Sequence, residues 1–270
     1  MTAVTLIAEL VETARRAALA AHKPEAALGA GTMLGWLLSA NHLGPVADEP
    51  LEATLYSKHG PALSHAARAL SPSGKAPYWL HVISEALDTG GHTPLLESLL
   101  GLQAPRHKVA VAVTTSCTAR FAARCAELGA TLQLLRGDLT NRAAELIALG
   151  RCAEKIMLHI HPHDLGAALA ARVLREEGRR VVFLNHADHI FTFGPGAAEV
   201  VAEVSGFGWR LTRERRAARA QHFLGIPLPL PPQALPPQEA ARAKVEGPIL
   251  SIGHASKYSP DGANDFAAFL

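Results

Sequence analysis

The sequence predicts an α/β protein built on a doubly wound, Rossmann-like parallel sheet. Short runs rich in Val, Ile and Leu alternate with helical stretches from residue 78 onward. The runs are apolar throughout, which suits strands covered by helices on both faces. The helices between them close on Gly129, Gly150 and Gly178, where a left-handed cap is expected.

Residues 1–75 precede this rhythm and read as a helical extension. Leu6, Leu10, Val11 and Ala14 recur near the three-to-four period. "GTMLGWLLSANHLG" and "PALSHAARAL" supply two more helices. The extension is expected to pack on another surface, and it offers a face for homo-oligomer contacts. Residues 76–225 then carry the alternation. "YWLHVIS", "KVAVAVTT", "TLQLLRG", "KIMLHIH" and "RRVVFLNH" are the strands; "PLLESLLGL", "TARFAARCAELG", "NRAAELIALG" and "LGAALAARVLREEG" are the helices between them. Proline recurs in "IPLPLPPQALPPQ", which makes residues 226–247 a stiff, extended connector. Residues 248–270 read as the first βα unit of a second Rossmann-like domain that is cut short.

Composition narrows the function. With 270 residues, 49% of them hydrophobic, the chain can bury a sizeable core. A net charge of +2 and 5% aromatics argue against a nucleic-acid partner. Cys117, Cys125 and Cys152 form no CxxC pair, which suits free thiols in a reducing, cytoplasmic setting. Acidic and basic residues interrupt the N-terminal apolar pattern, unlike a signal peptide, and no segment has the length of a transmembrane helix.

Ligands of open parallel sheets bind outside the carboxyl ends of the strands, so the loops there are the place to look. His92, His161, His163, His186, His189 and His254 all fall at or near such ends. In "TGGHT", Gly90 and Gly91 let the backbone approach a ligand, and His92 and Thr93 open a helix whose free amides suit an anion. The run "HIHPHD" has two readings. His159, His161, His163 and Asp164, with His189, could serve a metal-dependent hydrolase. Otherwise His159 is a packed strand residue, Asp164 caps the next helix, and no metal is held. "NHADH" supplies Asn185, His186, Asp188 and His189, where a carboxylate could orient an imidazole and raise its pKa. "RLTRERRAARAQ" reads as a solvated helix face, with one arginine available to a phosphate.

Taken in order, these loops resemble the N-terminal half of a GT-B glycosyltransferase of the retaining group-1 (family-4-like) type. "TGGHTPLLESLL" is similar to the family's first glycine loop and helix. "HIHPHDLGAALAARVL" resembles its fourth-strand motif, and "VVFLNHADHIF" its fifth strand with the catalytic-loop histidine. "ILSIGHASKYSPDG" resembles the opening of the nucleotide-sugar domain. The resemblance implies transfer of a sugar from a nucleotide-sugar donor to an acceptor, with retention and with no tightly bound cofactor. It implies that His186 lies near the reacting sugar, with Asp188 orienting it. Gly90, Gly91, His92 and Thr93 would meet the donor diphosphate, and Gly253 and Lys257 would meet it from the far side. His161, His163, Asp164, Asn185 and His189 would line the acceptor side. Because most of the family's donor site belongs to the second domain, the 270 residues alone are expected to be inactive. A non-catalytic binding or assembly module is the third reading.

Overall fold

The computed structural model describes residues 3–41, 45–70, 78–88 and 90–226, which fall within one compact unit, Met1–Pro227. Most of the proline-rich connector, and the expected βα unit with Gly253, His254 and Lys257, lie outside the described residues.

All five apolar runs form strands: β1 (Tyr78–Ala86), β2 (Val109–Cys117), β3 (Thr131–Leu134), β4 (Ala153–His159) and β5 (Arg180–Asn185). Two more, β6 (Val200–Glu203) and β7 (Gln221–Phe223), are four and three residues long and lie outside the five apolar runs. Among the described residues these make one seven-stranded sheet in the order β3-β2-β1-β4-β5-β6-β7. Every pair is parallel. The order reverses between β1 and β4. Connections leaving those two strands diverge, and a crevice opens at their carboxyl ends.

Register decides which side chains share a face. His81 pairs with Met157, Ile83 with His159, and Met157 with Val182. Side chains alternate across a strand, so His81, Ile83, Glu85, Met157, His159, Val182 and Leu184 point to one face. Helices α4 (His92–Gln103) and α5 (Ala119–Glu127) cover that face through Leu96, Leu99 and Phe121. The opposite face, with Leu80, Val82, Ile156, Leu158 and Phe183, joins the core of α6 (Leu139–Gly150) and α7 (Leu165–Glu176).

The helical extension comprises α1 (Ala3–Ala20), α2 (Pro24–Asn41) and α3 (Glu49–Arg68). It continues this second core, burying Leu28, Leu34, Leu55 and Leu63 completely. Each such leucine contributes about 1.5–3 kcal/mol relative to an exposed one. Polar ties fix the layer. Glu25 accepts from the Thr140 amide at 2.8 Å, Arg172 donates to Glu49 at 2.8 Å, and Arg151 donates to Ser64 Oγ at 2.8 Å. Helix α3 is longer than the apolar run "PALSHAARAL" suggests. Asp48 caps it by accepting from the Leu51 amide at 3.1 Å, Pro50 sits in its first turn, and it runs through Pro61.

Gly129 and Gly178 have φ of +75° and +84° and cap α5 and α7 as the sequence predicts. Gly150 corrects the pattern. It is the last residue of α6, and an added Cβ would come within 2.3 Å of Leu174 Cδ1 on α7. Close approach of two helices, not a left-handed turn, selects glycine there.

Candidate functional site

The crevice between β1 and β4 is built from turns with defined chemistry. Gly90 has φ of +98°, a conformation that a side chain rarely tolerates. It turns the chain from β1 into α4, where Gly91 occupies the N-cap without a side-chain cap bond. The space beside both glycines is open. The first-turn amides of α4 are thus left without the usual hydroxyl or carboxylate cap. His92, half-buried, begins the helix, and Thr93 is buried.

Side-chain parity then assembles a row of imidazoles on the α4 face. His81 Nε2 lies 2.7 Å from Gln103 Oε1 at the end of α4. His81 Nδ1 lies 2.9 Å from His159 Nε2. His159 Nδ1 lies 3.3 Å from Nε2 of His186, the residue just past β5. The His186 ring packs against His92 at a centroid separation of 4.1 Å, and His92 against His161 at 5.4 Å. His163 follows at 5.6 Å from His161. Glu85 Oε2 lies 3.9 Å from His161 Nδ1. The structure therefore brings His92, His161, His163 and His186 together, and adds His81, His159 and Gln103 behind them.

Electrostatics keep the inner rings neutral. Burial drives His81 and His92 down to about 4. Burial, then the neighbouring His92 and His161, drives His186 down to about 3. His159, with no exposure, is held well below the ordinary histidine range by burial and by the rings on either side. Burial likewise lowers His163. At neutral pH each of these rings is an uncharged donor–acceptor pair.

Asp164 fastens the loop below. It caps α7 by accepting from the Ala167 amide at 3.0 Å, and it accepts the hydroxyls of Ser84 and Thr114, each at 2.6 Å. Ser84 Oγ in turn accepts from the His161 amide at 2.8 Å. One carboxylate thus joins β1, β2 and the turn after β4. Asp164 also lines a cavity of about 30 Å³ with Thr114, Arg142 and Gly166, room for a water-sized occupant. Helix α2 packs on the same turn at Gly35, where an added Cβ would come within 2.9 Å of His163 Cα and 2.7 Å of Phe193 Cε2.

The remaining predicted residues lie in a second group. Asn185 is fully buried and shares the face of Phe183, opposite His159. Its Nδ2 donates to Glu203 at 2.9 Å and to Thr212 of α8 (Gly206–Arg215) at 3.3 Å. Asp188 accepts from Ser205 Oγ and lies 3.3 Å from His189 Nδ1. The carboxylate therefore holds the loop, while His159 and His92 are the neighbours that set the ring of His186. The expected rise in the pKa of His186 is replaced by a fall, because burial dominates. Arg216 is also buried, not solvated. It donates to the carbonyls of Asp188 at 2.9 Å and Ile190 at 3.0 Å, which fixes the path of "ADHI".

Among the described residues, no three His, Cys, Asp or Glu side chains are placed to hold a metal ion together. His159 is enclosed between two rings, and His189 is exposed beside Asp188. Among those residues, too, no helix is long and apolar enough to cross a membrane.

Fold and site define a Rossmann-like α/β protein with a histidine-lined crevice at the point where strand order reverses. In comparisons with known proteins, no protein-family model and no curated protein matches the chain. His81, Gln103, Ser84 and Thr114 carry no motif. Only the parity of His81 with Glu85 on β1 signals its place in the row.

Proposed function

We propose that residues 76–225 form the acceptor-side domain of a GT-B glycosyltransferase that moves a sugar from a nucleotide-sugar donor with retention of configuration. One observation carries the reading. A neutral His186 stands at the carboxyl-end crevice, packed on His92, the first residue of a helix whose N-terminus has no side-chain cap.

The chemistry follows from the parts. Free amides and the positive end of α4 favour a diphosphate lodged at Gly90 and Gly91. Negative charge that develops on the leaving diphosphate is stabilised by donors already in place. The uncharged imidazole of His186 hydrogen-bonds a sugar hydroxyl without repelling the partly positive anomeric centre. His161 and His163 face the acceptor side.

The test uses the full gene product with UDP-, GDP- and ADP-sugars, following nucleoside diphosphate release and heat of binding. Release or binding with one nucleotide class is expected. Absence of both with every donor would remove the proposal.

A further inference from the structure

A neutral imidazole has one N–H and one lone pair. The contacts His81–His159, at 2.9 Å, and His159–His186, at 3.3 Å, each need one donor and one acceptor. Three rings joined in this way have only two self-consistent arrangements: every proton on Nε2 or every proton on Nδ1. Any mixture sets two N–H groups, or two lone pairs, face to face inside the protein, which leaves buried polar atoms unpaired. His81 and His159 are both buried, so water cannot repair such a mismatch.

The group at the far end decides. Gln103 presents Oε1, an acceptor, to His81 Nε2 at 2.7 Å. His81 therefore carries its proton on Nε2 and accepts at Nδ1 from His159 Nε2–H. His159 accepts at Nδ1 from His186 Nε2–H, which leaves Nδ1 of His186 with its lone pair. We propose that Gln103, at the end of α4 away from the crevice, is a positioning residue that sets the tautomer of His186 through two buried histidines. The crevice is thereby given a hydrogen-bond acceptor on His186, suited to a hydroxyl or other O–H or N–H donor of the ligand. Turning the Gln103 amide over would move all three protons and convert that nitrogen to a donor. The value of this acceptor to sugar transfer rests on the function proposed above; the proton positions do not.

Nitrogen-15 NMR of the histidine side chains reads the proton positions directly, whether or not the protein transfers sugar. The expected spectrum shows His81, His159 and His186 all protonated on Nε2. Gln103→Glu, which can only accept, should retain that pattern. Gln103→Lys, which can only donate, should exchange the two nitrogen shifts of all three rings; a cation also suits the end of a helix. A wild-type spectrum with His186 protonated on Nδ1 would overturn the inference. So would a folded Gln103→Lys protein with unchanged shifts. If Gln103→Lys fails to fold, the wild-type and Gln103→Glu spectra still decide: any of the three rings protonated on Nδ1 in either spectrum overturns the proposal. Loss of donor binding with the tautomers as stated would count against the proposed function alone.

Discussion

His159 Nδ1 lies 3.3 Å from His186 Nε2, which links a strand residue of the sheet interior to the first residue beyond β5. His159 has no solvent exposure. The contact makes the reach of His186 into the crevice depend on a ring that no ligand touches. Replacing His159 with alanine should therefore cost stability first, by about 2–4 kcal/mol, through lost packing and an orphaned His81 nitrogen. Urea denaturation of the variant measures this. A stability equal to the wild type would contradict the packing described.

The same rings set a pH dependence. His81 is held at about 4, against 6.5 when exposed. Between those values the unfolded chain binds a proton that the folded chain refuses. Stability is thus fully present above about pH 6.5 and falls as pH drops toward 4. His81 alone accounts for about 3 kcal/mol of that fall. Denaturation midpoints at pH 7.5 and pH 5 should differ in this sense, and a flat profile would show that the rings charge freely in the folded state.

Glu52 has the opposite sign. It is buried in α3, accepts from the Gly194 amide at 3.1 Å, and is pushed up to about 8, mainly by burial. The folded chain keeps its proton while the unfolded chain loses it above about 4.5, so stability falls as pH rises toward 8. Glu52→Gln keeps the acceptor and removes the penalty. The variant should gain about 4 kcal/mol at pH 8 and little near pH 4.5. A gain independent of pH would contradict the assignment.

Asp164 joins three elements with one carboxylate. Asp164→Ala should cost about 2–4 kcal/mol, from the lost cap of α7 and the stranded hydroxyls of Ser84 and Thr114. Asn at this position should recover the cap but not both hydroxyls. Comparing the two variants by thermal unfolding separates the contributions, and equal losses would show that the cap alone matters.

Much of this architecture is legible in the sequence because its physics is local. The four longer strands, β1, β2, β4 and β5, announce themselves as apolar runs, β3 shows as "TLQLLRG" between two helical patterns, and Asp164 precedes an apolar helix as caps do. β7 escapes because three residues cannot display a period, and β6, no longer than β3, follows a short 3-10 turn instead of a helix. Asn185 and His186 are adjacent, yet strand parity sends one to Glu203 and the other to His159. The motif "NHADH" hides that division. Gln103 and His81 are 22 residues apart and meet only through the fold. The acidic neighbour of His186 suggests a raised pKa; burial, which sequence spacing does not display, reverses the sign.

His186→Ala is compared with the wild type in nucleoside diphosphate release from UDP-, GDP- and ADP-sugars, the activity proposed above. A loss of about 100-fold or more is expected in a variant that remains folded, with a lowered unfolding midpoint because buried His159 Nδ1 loses its partner. A folded variant that releases nucleoside diphosphate at the wild-type rate would contradict that expectation.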